Sequence, residues 1–383
     1  MTKRIFAVLT TLVLLCACLP LGAVNVSAAT SGDFTYTISG NEVTITGYTT
    51  YRSESVVIPY SLEGKNVTKI GYRAFYDRNL TSVTIPDTVI EIGAGAFYKC
   101  TDLESVVIGD SVTKIGAEAF YNCTGLESVA IGDSVVEIGA GAFQFCSSLT
   151  SITLPDSVTT VGDRAFLCEK LTSFAFGKGL DTVSRDWFYD HGDYLESIKV
   201  HGHNPNFSSE DGVLFDANGS DLIWYPAAKK NPSYTVPDTV TIIREEAFYN
   251  CDNLTTVIIP DSVTLIEKVA FFECSSLLSV GLDVSVTAIK ENAFLDCKNL
   301  TEVYYSGTEA NKLKIVFHRG NESIFTAEWR FGVTDKGDDN QKRENRQDTW
   351  LLIVCAVNAL ATSALVVLLL IKKKKKVKQE VQE

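Results

Sequence analysis

Histidine is scarce in this chain, with four in 383 residues. Three of them, His191, His201 and His203, crowd one short stretch near Asp190 and Asp193. Imidazoles and carboxylates together suit zinc or a similar metal. The spacing matches no known ligand pattern, however, and solvated loop histidines are the ordinary alternative. No glycine-rich phosphate loop is present, so nothing cradles a nucleotide. The glycine-rich nonapeptide of calcium-binding β-rolls is missing as well. Cations are outnumbered, 34 Lys and Arg against 47 Asp and Glu, for a net charge of −13. Both ends of the chain are net basic, so the middle is more acidic still and repels a phosphate backbone; nucleic acid is excluded as a ligand. Carboxylate pairs such as Glu245-Glu246 and Glu210-Asp211 read as solvated in so acidic a chain. No nucleophile, base and orienting group gather outside the regular pattern, so no catalytic residue, cofactor or bound metal is assigned.

The two ends stand apart from the rest. Lys3 and Arg4 precede the apolar stretch Ile5 to Leu15 and then small residues around Ser27-Ala28-Ala29, the pattern of a secretory signal over 1–29. Leu15-Cys16-Ala17-Cys18 offers the alternative of a lipoprotein box acylated at Cys18. Near the other end, Trp350 to Ile371 is a run without charge, long enough at about 1.5 Å per residue to span a bilayer as one helix. Six lysines between Lys372 and Lys378 follow it, which the positive-inside rule places in the cytoplasm. No sortase-type motif precedes the run. The expectation is a single-pass cell-membrane protein with its N-terminal part outside and its tail inside.

Between these ends a pattern returns: Leu-x-x-Val-x-Ile, a Pro-Asp or Gly-Asp turn, then Val-x-x-Ile-Gly-x-x-Ala-Phe-x-x-Cys, as in LESVVIGDSVTKIGAEAFYNC and LTTVIIPDSVTLIEKVAFFEC. Its marker phenylalanines are Phe75, Phe97, Phe120, Phe143, Phe166 and Phe188, then Phe248, Phe271 and Phe294. A period of this length means a solenoid, because one coil cannot bury its own apolar face and must stack on the next. Leu103, Val106 and Ile108 form an inward-facing strand, and Val112, Ile115, Ala119 and Phe120 close the coil. The recurrent turn aspartates, Asp87, Asp110, Asp133, Asp156, Asp238 and Asp261, are expected to bond the backbone two residues on; a calcium ladder is the rival reading. A row of cysteines, Cys100, Cys123, Cys146, Cys168, Cys251, Cys274 and Cys297, follows the markers. They read as mostly free, buried, small fillers, with disulfides between neighbouring coils as the alternative.

These motifs resemble the BspA-like leucine-rich-repeat family over about residues 33–331, including TYTISGNEVTITGY, GVLFDANGSDLIWYPAAKK and VYYSGTEA. The resemblance implies a mostly β, right-handed leucine-rich-repeat solenoid of short strands and short helical turns, to which the apolar segment adds one C-terminal transmembrane helix. The expected divisions are a signal peptide (1–29), an N-terminal β cap (30–64), repeats (65–200), a β-hairpin insert projecting from the rod (201–235), repeats (236–300), a C-terminal cap (301–331), a polar stalk (332–349), the transmembrane helix (350–371) and a basic cytoplasmic tail (372–383). The family is linked to adhesion and matrix binding without a shared catalytic residue. It implies a surface protein that contacts an extracellular protein or glycan of host or neighbouring cells. A structural spacer without a ligand and a metal-dependent enzyme using His191, His201 and His203 are the other two readings.

Two surfaces present themselves for a ligand. On the outer side of the strands, Ser105, Ser128, Ser151 and Ser173 belong to a row of small residues suited to broad, multivalent contact. At the break in the array, Trp187, Tyr189, Tyr194, Trp224 and Tyr225 offer aromatic anchors, some of them needed to cover the interrupted core.

Overall fold

Strand Ser105–Ile108 shows how a coil is made: Val106 and Ile108 turn inward and are buried, while Val107 between them is 50% exposed. The strand pairs in parallel with Leu80–Ile85 of the coil before and Ser128–Ala130 of the coil after. A second, two-residue strand, Lys114–Ile115, buries Ile115 and pairs with Glu91–Ile92 and Glu137–Ile138. This is a computed structural model, and it describes residues 33–332 apart from 53 and 189–193.

The corners between the two strands are reverse turns. Backbone N–H groups of Ala96, Tyr98, Cys100 and Leu103 each donate to the carbonyl three residues earlier. Gly95 and Lys99 adopt φ of 61° and 62°, and the N–H groups of Gly95, Phe97 and Lys99 all donate forward to Ala117, Ala119 and Tyr121. Turn backbone thus becomes a hydrogen-bonded ladder of its own, which satisfies groups that would otherwise be buried unpaired.

The expected fold is corrected in two respects. The solenoid, of about 12 turns, has few helices: most corners are reverse turns, one is the short 3-10 helix Arg185–Trp187, and the α-helices among the described residues, Glu309–Lys312 and Glu322–Thr326, lie in the C-terminal cap. Among the described residues no helix is long and apolar enough to cross a membrane. The segments expected as signal (1–29), transmembrane helix (350–371) and basic tail (372–383), and all but the first residue of the stalk, lie outside the described residues. The single-pass membrane placement accordingly finds no support in the structure.

The interior is a column of identical rings. Phe97 and Phe120 stack with centroids 5.1 Å apart and planes 2° from parallel, and Phe120 and Phe143 at 5.2 Å and 4°. Truncating one such ring leaves a cavity that neighbours fixed by the same stacking cannot fill, a loss of about 3–5 kcal/mol. Beside the rings, each ladder cysteine is buried, and its thiol donates to a carbonyl of the preceding coil, as Cys123 Sγ does to Phe97 (3.2 Å) and Cys274 Sγ to Phe248 (2.9 Å). The turn aspartates also work between coils. Asp87 Oδ1 accepts from the N–H of Asp110 at 2.9 Å and Asp110 Oδ1 from that of Asp133 at 3.3 Å, in place of the expected bond two residues on.

Glycine sets how closely the coils approach on the short-strand side. A Cβ at Gly116 or Gly139 would stand 2.6 or 2.4 Å from the backbone nitrogen of Ala94 or Ala117. After the break the same place is held by Arg244, Glu267 and Lys290, whose N–H bonds to the preceding coil measure 3.0, 2.9 and 2.9 Å, against 2.8 Å at Gly116 and Gly139.

The insert does not project. Strands Phe207–Glu210, Val213–Asp216 and Asp221–Trp224 form an antiparallel meander whose last strand pairs in parallel with Ile242–Ile243 of the following coil. Its side chains divide between two cores: Leu214 and Trp224 join the one before it, and Val213, Phe215, Leu222 and Tyr225 the one after. Both faces of the hairpin are apolar, so neither can be left in water. The insert is a partition that ends one array and starts another. Its likeness to the first cap is direct: there, Phe34–Ser39 runs antiparallel to Glu42–Tyr48, which pairs in parallel with Lys65–Ile70. Tyr48 covers Phe75 at 5.3 Å, as Tyr225 covers Phe248 at 5.1 Å. At the far end Asn321 stands in for a missing coil, its Oδ1 accepting from the N–H of Phe294 (3.0 Å) and its Nδ2 donating to Lys290 (2.7 Å) and His318 (2.8 Å).

Two substitutions test this geometry in opposite directions. Gly139→Ala should lose about 1–3 kcal/mol by overpacking. Val269, a branched residue at φ 48° where other coils place Gly95 and Gly141, should gain about 1 kcal/mol as Val269→Gly, through relief of left-handed strain. Urea denaturation of the two variants and the parent reads both signs.

Candidate functional site

Parallel register builds the serine row. Ser55, Ser82, Ser105 and Ser128 are successive partners, as are Ser151, Ser173 and Ser197. Ser128 and Ser151 are exposed and Ser105 and Ser173 half-buried, with Val107, Ala130 and Thr153 exposed beside them. The two runs belong to separate sheets, so the ladder is interrupted between Ser128 and Ser151. In the second array the equivalent Thr256 and Ser279 are buried and their hydroxyls pair at 3.1 Å. The open face therefore belongs to the first array.

The aromatic cluster at the break is not assembled as a surface. Trp187, Trp224 and Tyr225 are buried in the two cores, where Phe188 packs edge-on against Trp224 at 5.4 Å. Tyr194 is exposed, and Tyr189 lies outside the described residues. What occupies the junction instead is Arg185. Its guanidinium lies 4.4 Å from the Trp224 ring and 5.7 Å from that of Tyr249, its Nε is 3.5 Å from Glu246 Oε2, and Nη2 donates to the Glu246 carbonyl. These contacts tie the first array to the second.

His201 and His203 are exposed, and His191 lies outside the described residues with Asp190 and Asp193. Among the described residues no group of three His, Cys, Asp or Glu side chains could hold a metal ion. Between the two exposed histidines and the hairpin, Asn204 is the buried polar residue: its Nδ2 donates to Gly177 and Leu180, both at 3.0 Å, and its Oδ1 accepts from Asn206 and Phe207. It closes the exposed backbone where the first array stops.

One surface escaped the sequence reading. In the first three coils the residue after the marker phenylalanine is a half-buried tyrosine that reaches the surface. Tyr76 and Tyr98 stack at 5.6 Å, and Tyr98 and Tyr121 at 4.6 Å; Phe145 then meets Tyr121 edge-on at 5.3 Å. The available signal was the composition of a position treated as variable in Ala-Phe-x-x-Cys.

The sequence matches the family described as "BspA type Leucine rich repeat region", in six copies over residues 68–195 and 227–319. The chain belongs to that family. It is similar to a leucine rich cell surface protein of Faecalibacterium prausnitzii, at 31% identity over 75% of this chain and 97% of that one, with a TM-score of 0.46. A leucine-rich repeat protein from Eubacterium ventriosum shares 22% identity over 72% of this chain and 71% of its own, with a TM-score of 0.48. The pneumococcal vaccine antigen PcpA shares 18% over 80% and 93%, with a TM-score of 0.43. No curated protein matches the sequence. The BspA-type family is one of leucine-rich-repeat surface proteins, such repeat proteins are typically non-enzymatic binding scaffolds, and no catalytic family is indicated.

In this BspA-type protein the thiol column is structural. Burial pushes the Cys100 thiol up to about 12 and holds Cys123 and Cys146 well above the ordinary thiol range. Thiols in the unfolded chain ionise near about 8.5. At these three first-array positions the folded state thus favours the neutral thiol, and the stability this contributes is complete below that value and lost as pH rises above it. Native protein should leave the ladder cysteines unalkylated by iodoacetamide near neutral pH, while urea-unfolded protein should label all seven of them without prior reduction. Its melting temperature should fall above about pH 8.5, less steeply in Cys100→Ala/Cys123→Ala.

Proposed function

We propose that this chain is a non-catalytic surface recognition rod that contacts an extracellular protein or glycan of neighbouring cells through the open sheet of its first array. The observation that carries this reading is the pair of registered serine runs, Ser105 with Ser128 and Ser151 with Ser173, in which Ser128 and Ser151 are exposed beside Val107, Ala130 and Thr153. Such side chains are too short to give the face much relief. A partner there gains little from any one contact and much from repetition, so the expected binding is broad and multivalent. The same face lacks the Trp, Tyr and Arg anchors that concentrate binding energy, which favours a second reading, a spacer that holds other surface components at a distance.

The two readings part on capture. The full-length chain, immobilised, is presented with whole cells, matrix proteins and an array of glycans. Retention of a component, weakened at least about tenfold by Ser128→Arg and Ser151→Arg, about 1.4 kcal/mol, supports recognition by the sheet. Absence of any retained component leaves the spacer.

A further inference from the structure

The tyrosine ridge combines features the serine face lacks. Tyr72 is 67% exposed, and Tyr76, Tyr98, Tyr121 and Phe145 are half-buried along successive coils. The Arg73 guanidinium carbon lies 5.2, 5.1 and 5.3 Å from the ring centres of Tyr72, Tyr76 and Tyr98, and Lys99 Nζ is 5.8 Å from that of Tyr98. Tyrosine and arginine are the residue types in which interface hot spots concentrate.

Charge gives the ridge a direction. In a chain with net charge −13, carboxylates are abundant, and Arg185, Arg244, Arg319 and Arg330 each sit on one. Arg73 and Lys99 make no ion pair among the described residues, although both are exposed. Two cations held on aromatic rings and left without a counter-ion suit an anionic ligand.

The backbone decides which kind. An extended acidic peptide docks by adding hydrogen bonds to an open strand edge, and the ridge has none to give, because the N–H groups of Gly95, Phe97 and Lys99 are already spent on Ala117, Ala119 and Tyr121 of the next coil. What remains outward is a line of phenols at the coil spacing, with Arg73 and Lys99 against its rings and the exposed carboxylates of Asp77 and Glu118 alongside. A polysaccharide presents the complementary series: ring C–H faces for the exposed Tyr72 ring, hydroxyls for the phenols, and acidic groups for the cations. We propose that Tyr72, Arg73, Tyr76, Tyr98, Lys99 and Tyr121 form a binding site for an extended acidic glycan whose sulfate or carboxylate groups pair with Arg73 and Lys99. This goes beyond the sheet-face reading and stands or falls separately from it.

The test measures full-length protein by biolayer interferometry against four immobilised polymers: a heparin oligosaccharide carrying sulfates, a hyaluronan oligosaccharide carrying carboxylates alone, neutral dextran, and poly-glutamate. Either acidic glycan, or both, should be retained, with dextran and poly-glutamate at least about tenfold weaker, a gap of about 1.4 kcal/mol; which of the two binds identifies the acidic group. Tyr72→Ser, Arg73→Gln and Lys99→Gln should each weaken that binding several-fold with unchanged melting temperature, and Ser128→Arg on the sheet should leave it intact. Failure of both acidic glycans to bind, poly-glutamate binding as tightly as they do, or indifference to both Tyr72→Ser and Arg73→Gln would overturn the proposal.

Discussion

A marker phenylalanine is dry only because the coils before and after it supply the rings that cover its two faces. Everything else in the molecule follows from that dependence. The thiols, turn aspartates and turn N–H groups all reach into an adjacent coil, so a coil on its own would expose its ring and orphan its hydrogen bonds together. Stability in such an array is a sum of neighbour terms, and its weak points are the places where a neighbour is missing. Each of those places is filled by a dedicated device: an antiparallel hairpin with a tyrosine over the first ring, Asn204 on the carbonyls where the first array stops, and Asn321 in the position of an absent coil at the end.

The partition hairpin extends the same logic. A simple interruption would leave two raw ends, each needing cover. By placing Leu214 and Trp224 in one core and Phe215, Leu222 and Tyr225 in the other, a single pair of strands covers both. Arg185 then spans the seam with its guanidinium on Trp224 and its hydrogen bond to Glu246. The aromatic residues that crowd this region are explained by coverage of two cores, and only Tyr194 of the four that are described is left facing solvent.

How much of this was visible in the residues depends on the range of the interaction. The 22- or 23-residue return of Phe and Cys reports contacts between equivalent positions, and a period survives in sequence because every coil obeys it. The turn aspartates were placed correctly in their turns but given the wrong partner: a local rule sends Asp87 two residues on, whereas stacking brings Asp110 within 2.9 Å. The hairpin could not be read as a partition because Val213-Leu214-Phe215 is apolar at every position, which removes the alternation that tells one face from another. Its aromatics then looked like surface anchors. The tyrosine ridge was hidden for the opposite reason, since it occupies a position the repeat leaves free and a motif discards such positions by construction.

That last point bears on where recognition resides in a solenoid. Positions that recur along the array are held by the stack itself: a marker ring, or a thiol where one is present, has its chemistry committed to the neighbour. A ligand can be distinguished only at positions where coils differ. After the marker phenylalanine the chain places Tyr76, Tyr98 and Tyr121, then Gln144, Leu167 and Tyr189, and in the second array Tyr249 and Phe272, which stack at 5.5 Å; the run that carries Arg73 and Lys99 is confined to one end of the first array. The outward serines, by contrast, change little from coil to coil and give a partner no way to tell one register from the next. A uniform face can hold a ligand by repetition, but only a bounded feature such as Tyr72 with Arg73 can fix where along the rod it binds.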